Sequence, residues 1–490
     1  MRSFSLLGSR DSTEGCPAPR VFQPHRTRLA PALSAGELQA EVTGELALFA
    51  AAGGPLFALD DLAFDLIYFV RRGWRSLIIL SRFSARLRYC AAGTRAPWPA
   101  GGADPGVGRS GGDRQHAPRL LARFEHDDYR LYVGQFRNDP ATAAAIGEVD
   151  DRRVRPVQVP VDGPTTKADC LNFLFAALAA DEAAGAPRSK AVVLHDAEDL
   201  AHPLELRLFD RLVERAAVVQ LPVLPLPDPQ SRWIAGHYAD EFAQSHIKEL
   251  VVRETVGAAI PLAGVGCAIE RSAIDRLTAR HDGKPSAEGS LTEGYELGLR
   301  LGALGLRTMF VRLPPTPGSR GVVASRGHFP ADLNSAVRQK ARWIGGIALA
   351  GWDRLGSSGG LGERWMRLRD RRGLFAAVLL VAGYLALLLW LQITLAAALG
   401  APVAFEASPL LGALLTANAW LLGWRMLMRF GFTAAAYGVA EGLRSIPRVV
   451  IANLVAILAA RRALALHEAG GLRTWDKTRH IFPAHGAGAR

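Results

Sequence analysis

The stretch Ala191–His202, AVVLHDAEDLAH, decides the fold that we predict for this chain. Its apolar run Val192–Leu194 is typical of a strand that is buried on both faces, and the run ends abruptly in three acids, Asp196, Glu198 and Asp199. Two carboxylates spaced one residue apart beyond a parallel strand can bind one divalent cation, which can bind a diphosphate in turn. The stretch therefore indicates an α/β domain with a candidate cation site at the carboxyl edge of its sheet.

An ordinary helix cap is the alternative interpretation of the same acids. Residues 203–212 have the pattern of a helix that begins at Pro203, and Asp196 or Asp199 could be its N-cap. The stretch alone supports cation binding and capping equally, so the choice depends on the rest of the chain.

Composition narrows the class of protein. The chain has 490 residues and a formal net charge of +12, which leaves room for one large catalytic domain with accessory segments. Most of the basic residues are Arg beside long apolar runs, so we attribute the charge to a membrane surface and exclude nucleic acid as a partner. The four Cys residues include no CxxC pair, which argues against a zinc site or a disulfide framework.

Apolar runs bordered by Arg divide the chain into segments, and the span Leu374–Leu399 is the strongest transmembrane candidate. Val449–Ala460 has only about twelve apolar residues, too few to cross a bilayer, and is predicted to be interfacial. The positive-inside rule places the domain between the spans in the cytosol. The predicted segments are a disordered tail at 1–40, a transmembrane and an interfacial helix at 41–90, an irregular insert at 91–118, an α/β catalytic domain at 119–350, a transmembrane hairpin at 351–430, and an interfacial helix with a cytosolic tail at 431–490.

The predicted insert at 91–118 contains a formal GxGxxG at Gly106–Gly111, which we reject as a dinucleotide site. Such a site needs a strand before the glycines and a helix after them, and the pattern shows neither.

Further candidate site residues follow the predicted strands. Lys167 lies at a strand-to-helix turn, where it can reach a phosphate or simply be solvated. Gly264 and Gly266 flank an apolar segment where the backbone can approach a ligand, although a plain turn fits equally well, and we take Gly266 as a binding candidate. Thr292 is predicted to cap a helix that has Glu293 in its first turn.

A second cluster of polar residues lies on a predicted helix near Val337–Ile344. Gln339 and Arg342 share one helical face, and Trp343 follows as a candidate stacking platform. The simpler interpretation is an amphipathic helix with a buried Trp.

The order of these motifs, followed by the spans, resembles the membrane-embedded family 2 glycosyltransferases, the class of cellulose and hyaluronan synthases. More narrowly, four stretches resemble the phage-adsorption protein B subfamily of inner-membrane glycosyltransferases in exopolysaccharide synthesis. They are VVLHDAEDLAHPLELRLFDRL at 192–212, GPTTKADCLN at 163–172, VRQKARWIGGIALAGWDRL at 337–355 and WDKTRHIFP at 475–483.

The resemblance implies a GT-A (Rossmann-like) α/β fold, a nucleotide-sugar donor that is UDP-linked, and a divalent metal, Mg²⁺ or Mn²⁺. It implies inverting transfer of the sugar to a growing envelope or exopolysaccharide glycan at the bacterial inner membrane, with an outer-membrane export or phage-receptor partner as a candidate. The implied roles are metal ligands for Asp196 and Glu198, nucleotide contacts for Asp139 and Lys167, donor and acceptor binding for Gln339, Arg342 and Trp343, and catalysis for Glu293 and Arg342.

Two departures from the family pattern support an alternative, a catalytically impaired relative that acts as a membrane scaffold or phage-adsorption partner. Gly294 stands where the family has the Asp of Thr-Glu-Asp as general base, and the neighbouring Glu293 would point about 100° away on a helix. Restoring Asp at this position should therefore raise turnover if the site is otherwise built. In addition, residues 91–118 lack the apolar alternation of the family's first strand, which predicts a partly unbuilt nucleotide pocket.

Overall fold

The computed structural model describes residues 34–79, 101–105, 113–163, 165–316, 319, 321–402 and 405–470. Most of the predicted tail, the Gly106–Gly111 motif and the WDKTRHIFP stretch lie outside the described residues.

Seven strands of the described residues form one sheet with the order β3-β2-β1-β4-β6-β5-β7. All neighbours are parallel except β6, which is antiparallel to both β4 and β5. The carboxyl ends of six strands and the amino end of β6 therefore meet at one edge. The strands are β1 Gly101–Pro105, β2 Arg130–Phe136, β3 Val154–Val159, β4 Ala191–Leu194, β5 Val218–Gln220, β6 Cys267–Glu270 and β7 Thr308–Phe310.

Strand β1 lies inside the stretch that we predicted to be an irregular insert, so the expectation of a missing first strand is wrong. Gly101 pairs with Arg130 of β2 on one side and with Val192 of β4 on the other. The sequence GGADP has no apolar alternation, and Pro105, which lacks an N–H donor, stands at the end of the strand. Two neighbouring strands supply ladder partners that the local pattern cannot reveal.

Helices occupy both faces of the sheet and continue into the apolar part of the chain. Two π-helical turns interrupt them near the sheet edge, Ser245–Glu249 and Gly345–Leu349, and a third, Arg75–Ile79, follows the first helix. The α-helices are α1 Ala35–Trp74, α2 Asp113–Arg123, α3 Pro140–Gly147, α4 Lys167–Ala183, α5 Glu205–Leu212, α6 Ile234–Gln244, α7 Leu250–Thr255, α8 Arg271–Thr278, α9 Glu293–Ala303, α10 Leu333–Ile344, α11 Ala350–Leu355, α12 Leu361–Arg371, α13 Gly373–Ala398, α14 Pro409–Tyr437, α15 Val439–Ser445 and α16 Arg448–Glu468.

The core confirms that the apolar run before the acids is a strand buried on both faces. Val192 and Leu194 pack on one side of the sheet with Leu174 of α4, whereas Val193 packs on the other side with Phe209 of α5. Successive side chains of a strand point to opposite faces, so a strand covered on both sides needs a continuous apolar run.

Four helices of the described residues are long and apolar enough to cross a membrane: Ala35–Ile78, Gly373–Ala398, Pro409–Tyr437 and Arg448–Glu468. The last has 21 residues, so the predicted apolar run of about twelve underestimated its length, and it meets the requirement for a span rather than only for an interfacial helix.

Two acids in the second half of α1 are paired with basic side chains of the same chain. Asp61 accepts hydrogen bonds from Arg369 (3.0 Å) and Arg372 (2.5 Å), and Asp65 accepts one from Lys248 (2.6 Å). Lys248 belongs to the π-helical turn after α6, so these contacts connect α1 directly to the sheet domain.

Candidate functional site

A cavity of about 370 Å³ lies at the sheet edge where the strands end. Its lining includes three stretches that are far apart in sequence: the loop after β4, the start of α9, and α10. The predicted site residues among its lining are Lys167, Asp196, Glu198, Glu293, Gln339, Arg342 and Trp343.

Lys167 lies between the two acidic walls of this cavity. It is the first residue of α4, where Thr166 and Asp169 form a capping box that fixes the start of the helix. Its Nζ forms an ion pair with Asp196, donates to the Gly264 carbonyl at 3.0 Å, and lies 3.6 Å from Glu293 Oε1. Burial opposes the charged form, but the charges of Asp196 and Glu293 outweigh it and raise the pKa of Lys167.

The acids after β4 do not cap the following helix, so the capping interpretation of this stretch is wrong. Helix α5 begins at Glu205, and its N-cap residue Leu204 provides no side-chain cap. Instead, Asp199 Oδ2 accepts a hydrogen bond from the Asp196 backbone N–H at 3.1 Å. Burial and the neighbouring charges of Asp196 and Glu198 raise the pKa of Asp199 well above its usual value, a sign of concentrated negative charge.

This charge suits a divalent cation that is held jointly by protein and ligand. Within the described ranges, no three His, Cys, Asp or Glu side chains are arranged to hold a metal ion by themselves. Mg²⁺ is usually held in nucleotide sites by one or two carboxylates together with substrate phosphates. Asp196 and Glu198 fit that coordination, in which the remaining ligands would come from a diphosphate.

Glu293 enters the cavity from the first turn of α9. Its side chain is 10% exposed and faces Lys167. Thr292 occupies the predicted N-cap position, but its side chain makes no capping hydrogen bond, and its Oγ1 has no partner among the described residues. Gly346 has no side chain, and this leaves room for Thr292, because a Cβ there would lie 2.6 Å from Thr292 Oγ1.

Helix α10 forms the third wall, and its N-cap residue Asp332 accepts a hydrogen bond from the Ser335 N–H at 2.9 Å. Gln339 is buried, and no described group donates to its Oε1. The charge of Arg342 interacts with those of Glu293, Asp196 and Glu198. The structure thus places the face of α10 that carries Gln339 and Arg342 next to the acids Asp196, Glu198 and Glu293.

Trp343 lines the cavity and also packs in an aromatic cluster. The stacking-platform interpretation and the buried-Trp interpretation therefore each describe part of its surroundings. Its ring lies 6.0 Å from Tyr238 in an edge-on arrangement and 6.2 Å from Phe242. Phe242, His246 and Phe329 also line the cavity. The sequence pattern did not predict these three, because Phe242 and His246 lie on helical segments, where aromatic residues usually belong to cores, and Phe329 lies in a loop without a motif.

Two predicted site residues do not line the cavity. Asp139 caps α3, where it accepts a hydrogen bond from the Thr142 N–H at 3.1 Å. Gly266 packs against Ser325, whose Cβ lies 2.9 Å from the position of an added Cβ. The close backbone approach occurs at Gly264 instead, which has a φ of +83° and lies where a Cβ would be 3.2 Å from both Glu293 Oε1 and Lys167 Nζ.

Comparison with known sequences identifies the class of protein. Residues 191–437 match the family model described as glycosyl transferase family group 2, which is half of the chain. The chain therefore belongs to this glycosyltransferase family, and its fold is the expected GT-A α/β domain with apolar helices.

Bacteriophage adsorption protein B from Escherichia coli is a relative, 34% identical over 453 residues, with 87% of this chain and 60% of that protein covered. A counterpart from a second Escherichia coli strain matches equally well. The chain thus spans about 60% of the length of the curated relatives that it matches.

Among solved structures, a mannosyltransferase from Pyrobaculum calidifontis in complex with GDP-Man and Mn²⁺ is 16% identical. The match has a TM-score of 0.49 and covers 87% of this chain and 99% of that one. Glucosyl-3-phosphoglycerate synthase from Mycobacterium tuberculosis, in complex with Mg²⁺ and UDP, is also 16% identical, with a TM-score of 0.30 and coverage of 54% and 81%.

Proposed function

We propose that this chain transfers a sugar from a nucleotide-sugar donor to a growing glycan at a bacterial inner membrane. One observation carries the proposal: a single cavity collects the acids after β4, Glu293, and the Gln339–Trp343 face from three distant stretches. Such a transfer needs carboxylates that bind a cation, a basic side chain that binds phosphates, and an aromatic ring against which a sugar packs.

Each group of residues that lines the cavity would have its own role in the transfer. Asp196 and Glu198 would hold Mg²⁺ or Mn²⁺, which supplies charge neutralisation for the departing diphosphate when bound. Arg342 binds the same phosphates, because a guanidinium matches their geometry and keeps its charge. Trp343 offers an apolar ring surface against which a sugar can pack.

We propose further that the donor is UDP-linked and that the acceptor is an envelope or exopolysaccharide glycan. The resemblance to the phage-adsorption protein B subfamily supports this choice, and it also makes an outer-membrane export or phage-receptor component a candidate partner. Four apolar helices would anchor the chain, with the sheet domain in the cytosol, where nucleotide sugars are made.

Nucleotide binding tests this function. Purified full-length protein in detergent is titrated calorimetrically with UDP and with GDP, with and without MnCl₂. We expect Mn²⁺-dependent binding that Asp196→Asn weakens by roughly 10- to 100-fold, the effect of one charge-assisted contact. The exposed Asp353→Asn is the matched control and should bind as the wild type does.

The scaffold hypothesis predicts the opposite result. Folded protein that binds neither nucleotide, with or without the cation, would refute the proposed transferase and favour the scaffold. The presence of β1 removes one of the two reasons for that hypothesis, and Gly294 is the other.

A further inference from the structure

The four carboxylates of the cavity fall into two groups of different chemistry. Three of them, Asp196, Glu198 and Asp199, lie together in the loop after β4, where their charges are concentrated. The fourth, Glu293, lies on the other side of Lys167, whose Nζ contacts Asp196 and is 3.6 Å from Glu293. A cation and diphosphate bound at the loop would therefore leave Glu293 as the carboxylate at the opposite wall.

Gly294 lines this cavity, but a side chain at 294 would collide with main-chain atoms. A Cβ on Gly294 would lie 2.7 Å from the backbone N of Gly264 and 2.8 Å from the carbonyl oxygen of Leu262. The Leu262 N–H also donates to the Gly294 carbonyl at 3.3 Å, so the two backbones are directly bonded. Any side chain at 294 must displace main-chain atoms.

Two further glycines of α9 extend this contact. An added Cβ on Gly298 would collide with the Ile260 carbonyl oxygen, and one on Gly302 would collide with Ala259. The helix thus lies directly on segment 259–264 along Gly294, Gly298 and Gly302. This packing fixes the rotation of α9 and holds Glu293, the residue before the first of these glycines, towards Lys167.

Two buried polar atoms near Glu293 have no hydrogen-bond partner among the described residues, so a polar ligand could bind there. Thr292 Oγ1 and Gln339 Oε1 line the same cavity, both residues are more than nine-tenths buried, and neither atom has a partner among the described residues. Buried polar atoms are normally satisfied. A sugar acceptor has hydroxyl groups that can bond to both.

We propose that Glu293 is the general base of sugar transfer and that no residue at 294 is needed. This inference rests on the proposed function. The Glu293 carboxylate accepts the proton of the acceptor hydroxyl, and the acceptor oxygen forms a bond to the anomeric carbon. The bond from that carbon to the diphosphate oxygen breaks, and its electron pair leaves with the nucleoside diphosphate. Lys167 holds the carboxylate in position.

The first test separates chemistry from donor binding. Membranes that contain the full chain are supplied with radiolabelled UDP-glucose, UDP-N-acetylglucosamine or GDP-mannose plus Mn²⁺, and the incorporated sugar is counted. We expect Glu293→Gln to lower incorporation by roughly 10²- to 10⁴-fold, the usual contribution of a general base. UDP binding by the purified variant should stay within about twofold of the wild type, as expected of a group that acts on the acceptor.

The matched control is Glu288→Gln, which neutralises an exposed Glu paired with Lys284 near the same helix. It should change neither incorporation nor UDP binding. Full incorporation by Glu293→Gln would overturn the assignment of the base while leaving the transferase intact. If the wild type itself does not bind a nucleotide, both the proposed transferase function and the assignment of Glu293 as its base are wrong.

The second test uses position 294 itself. The family pattern alone predicted a gain of turnover from Asp at this position. We now expect Gly294→Asp to reduce incorporation and thermal stability, because its Cβ meets main-chain atoms. The double variant Glu293→Gln/Gly294→Asp should remain as inactive as Glu293→Gln alone. A gain of turnover in Gly294→Asp, or recovery in the double variant, would overturn the proposal and return the base to position 294.

Discussion

Lys167 is the residue on which the two halves of the site depend. Its ammonium group contacts Asp196 on the cation wall, lies near Glu293 on the acceptor wall, and donates to the Gly264 carbonyl. Its side chain is 8% exposed, so few waters can replace these contacts. The Lys167 ammonium group therefore positions both the proposed metal ligand Asp196 and the proposed base Glu293.

Replacement of Lys167 by Met should destabilise the protein and make it sensitive to divalent cations. Removal of one partner leaves charged groups uncompensated, and we expect a loss of about 1–3 kcal/mol, below the cost for a fully buried pair because Asp196 is partly exposed. Mn²⁺ should recover more stability in this variant than in the wild type. Thermal unfolding in detergent, with and without MnCl₂, measures both effects.

The exposed Lys284→Met serves as the control and should unfold like the wild type. An unchanged melting temperature in Lys167→Met would contradict the importance of the ion pair.

His246 should make the stability of the sheet domain depend on pH. Its Nδ1 accepts a hydrogen bond from the Val223 N–H at 3.2 Å, and burial lowers the pKa of His246 to about 3. In the unfolded chain the pKa is about 6.5, so below this pH the unfolded state binds a proton that the folded state refuses. The contribution is complete above pH 6.5 and is lost progressively towards pH 3, by about 2 kcal/mol at pH 5.

Thermal unfolding at pH 7.5 and pH 5 checks this effect. His246→Gln should show a smaller loss of stability at pH 5 than the wild type. His467→Gln, at an exposed position near the end of α16, should retain the wild-type loss. Equal losses in all three proteins would refute the role of His246.

Single residues show where sequence patterns succeed and where they fail. Lys167 and Asp139 both lie at the start of a helix after a strand, yet the structure places Lys167 in the cavity and uses Asp139 as an N-cap. The sequence pattern predicts the strand-to-helix turn, but it does not predict the direction in which the side chain at that turn points. Gly264 and Gly266 differ in the same way, because their neighbours Glu293 and Ser325 come from distant stretches.

At the scale of elements, the alternation of strands and helices from β2 onward was predictable because each element carries its own apolar pattern. Strand β3, Val154–Val159, is an example, with three β-branched valines among its six residues. Strand β1 was not predictable from GGADP, because its order comes from the backbone ladders of β2 and β4 rather than from its side chains.

Helix α6, which lines the cavity through Phe242, is attached to two membrane-candidate helices by one buried carboxylate. Asp240 accepts hydrogen bonds from Arg429 of α14 at 2.9 Å and from Arg448 of α16 at 3.1 Å. Gly236 leaves room for the Arg448 guanidinium, since a Cβ there would lie 2.6 Å from its Cζ. The aromatic wall of the cavity is therefore fixed relative to these helices.

Asp240→Asn should destabilise this attachment strongly. The buried guanidinium of Arg429 would lose its charged partner, and that of Arg448 would keep only Glu441, so we expect a loss of about 3–5 kcal/mol. Thermal unfolding and limited proteolysis in detergent provide the measurement, with the exposed Asp353→Asn as control. A variant as stable as the wild type would show that the network contributes nothing net.

At the scale of the whole molecule, the sheet domain and the apolar helices are joined at several points. Asp65 of α1 pairs with Lys248 beside the cavity, and Asp61 pairs with Arg369 and Arg372 just before α13. The Arg369 and Arg372 contacts lie just before the apolar helix α13, where charged groups can meet the polar boundary of a bilayer.

This arrangement predicts opposite locations for two loops. Helix α13 has 26 residues, about 39 Å of helix, enough to cross a bilayer. Asp353 precedes it on the side of the sheet domain, and Ala401 follows it. We expect a membrane-impermeant maleimide to label Ala401→Cys in intact spheroplasts, and Asp353→Cys only after permeabilisation.

The unmodified chain gives the background for this labelling, since it contains four Cys, of which Cys170 and Cys267 are buried. The reverse pattern, with Asp353→Cys labelled first, would refute a cytosolic sheet domain.

The contact of the three α9 glycines with segment 259–264 also restricts the evolutionary paths open to this chain. A single base change can convert a Gly codon into an Asp codon, so an acid at 294 is always one mutation away genetically. Structurally, that mutation meets the main chain at Leu262 and Gly264 before it can contribute to chemistry. A lineage would first have to loosen segment 259–264, at a cost in stability and without immediate benefit, so selection would tend to preserve the acid at 293.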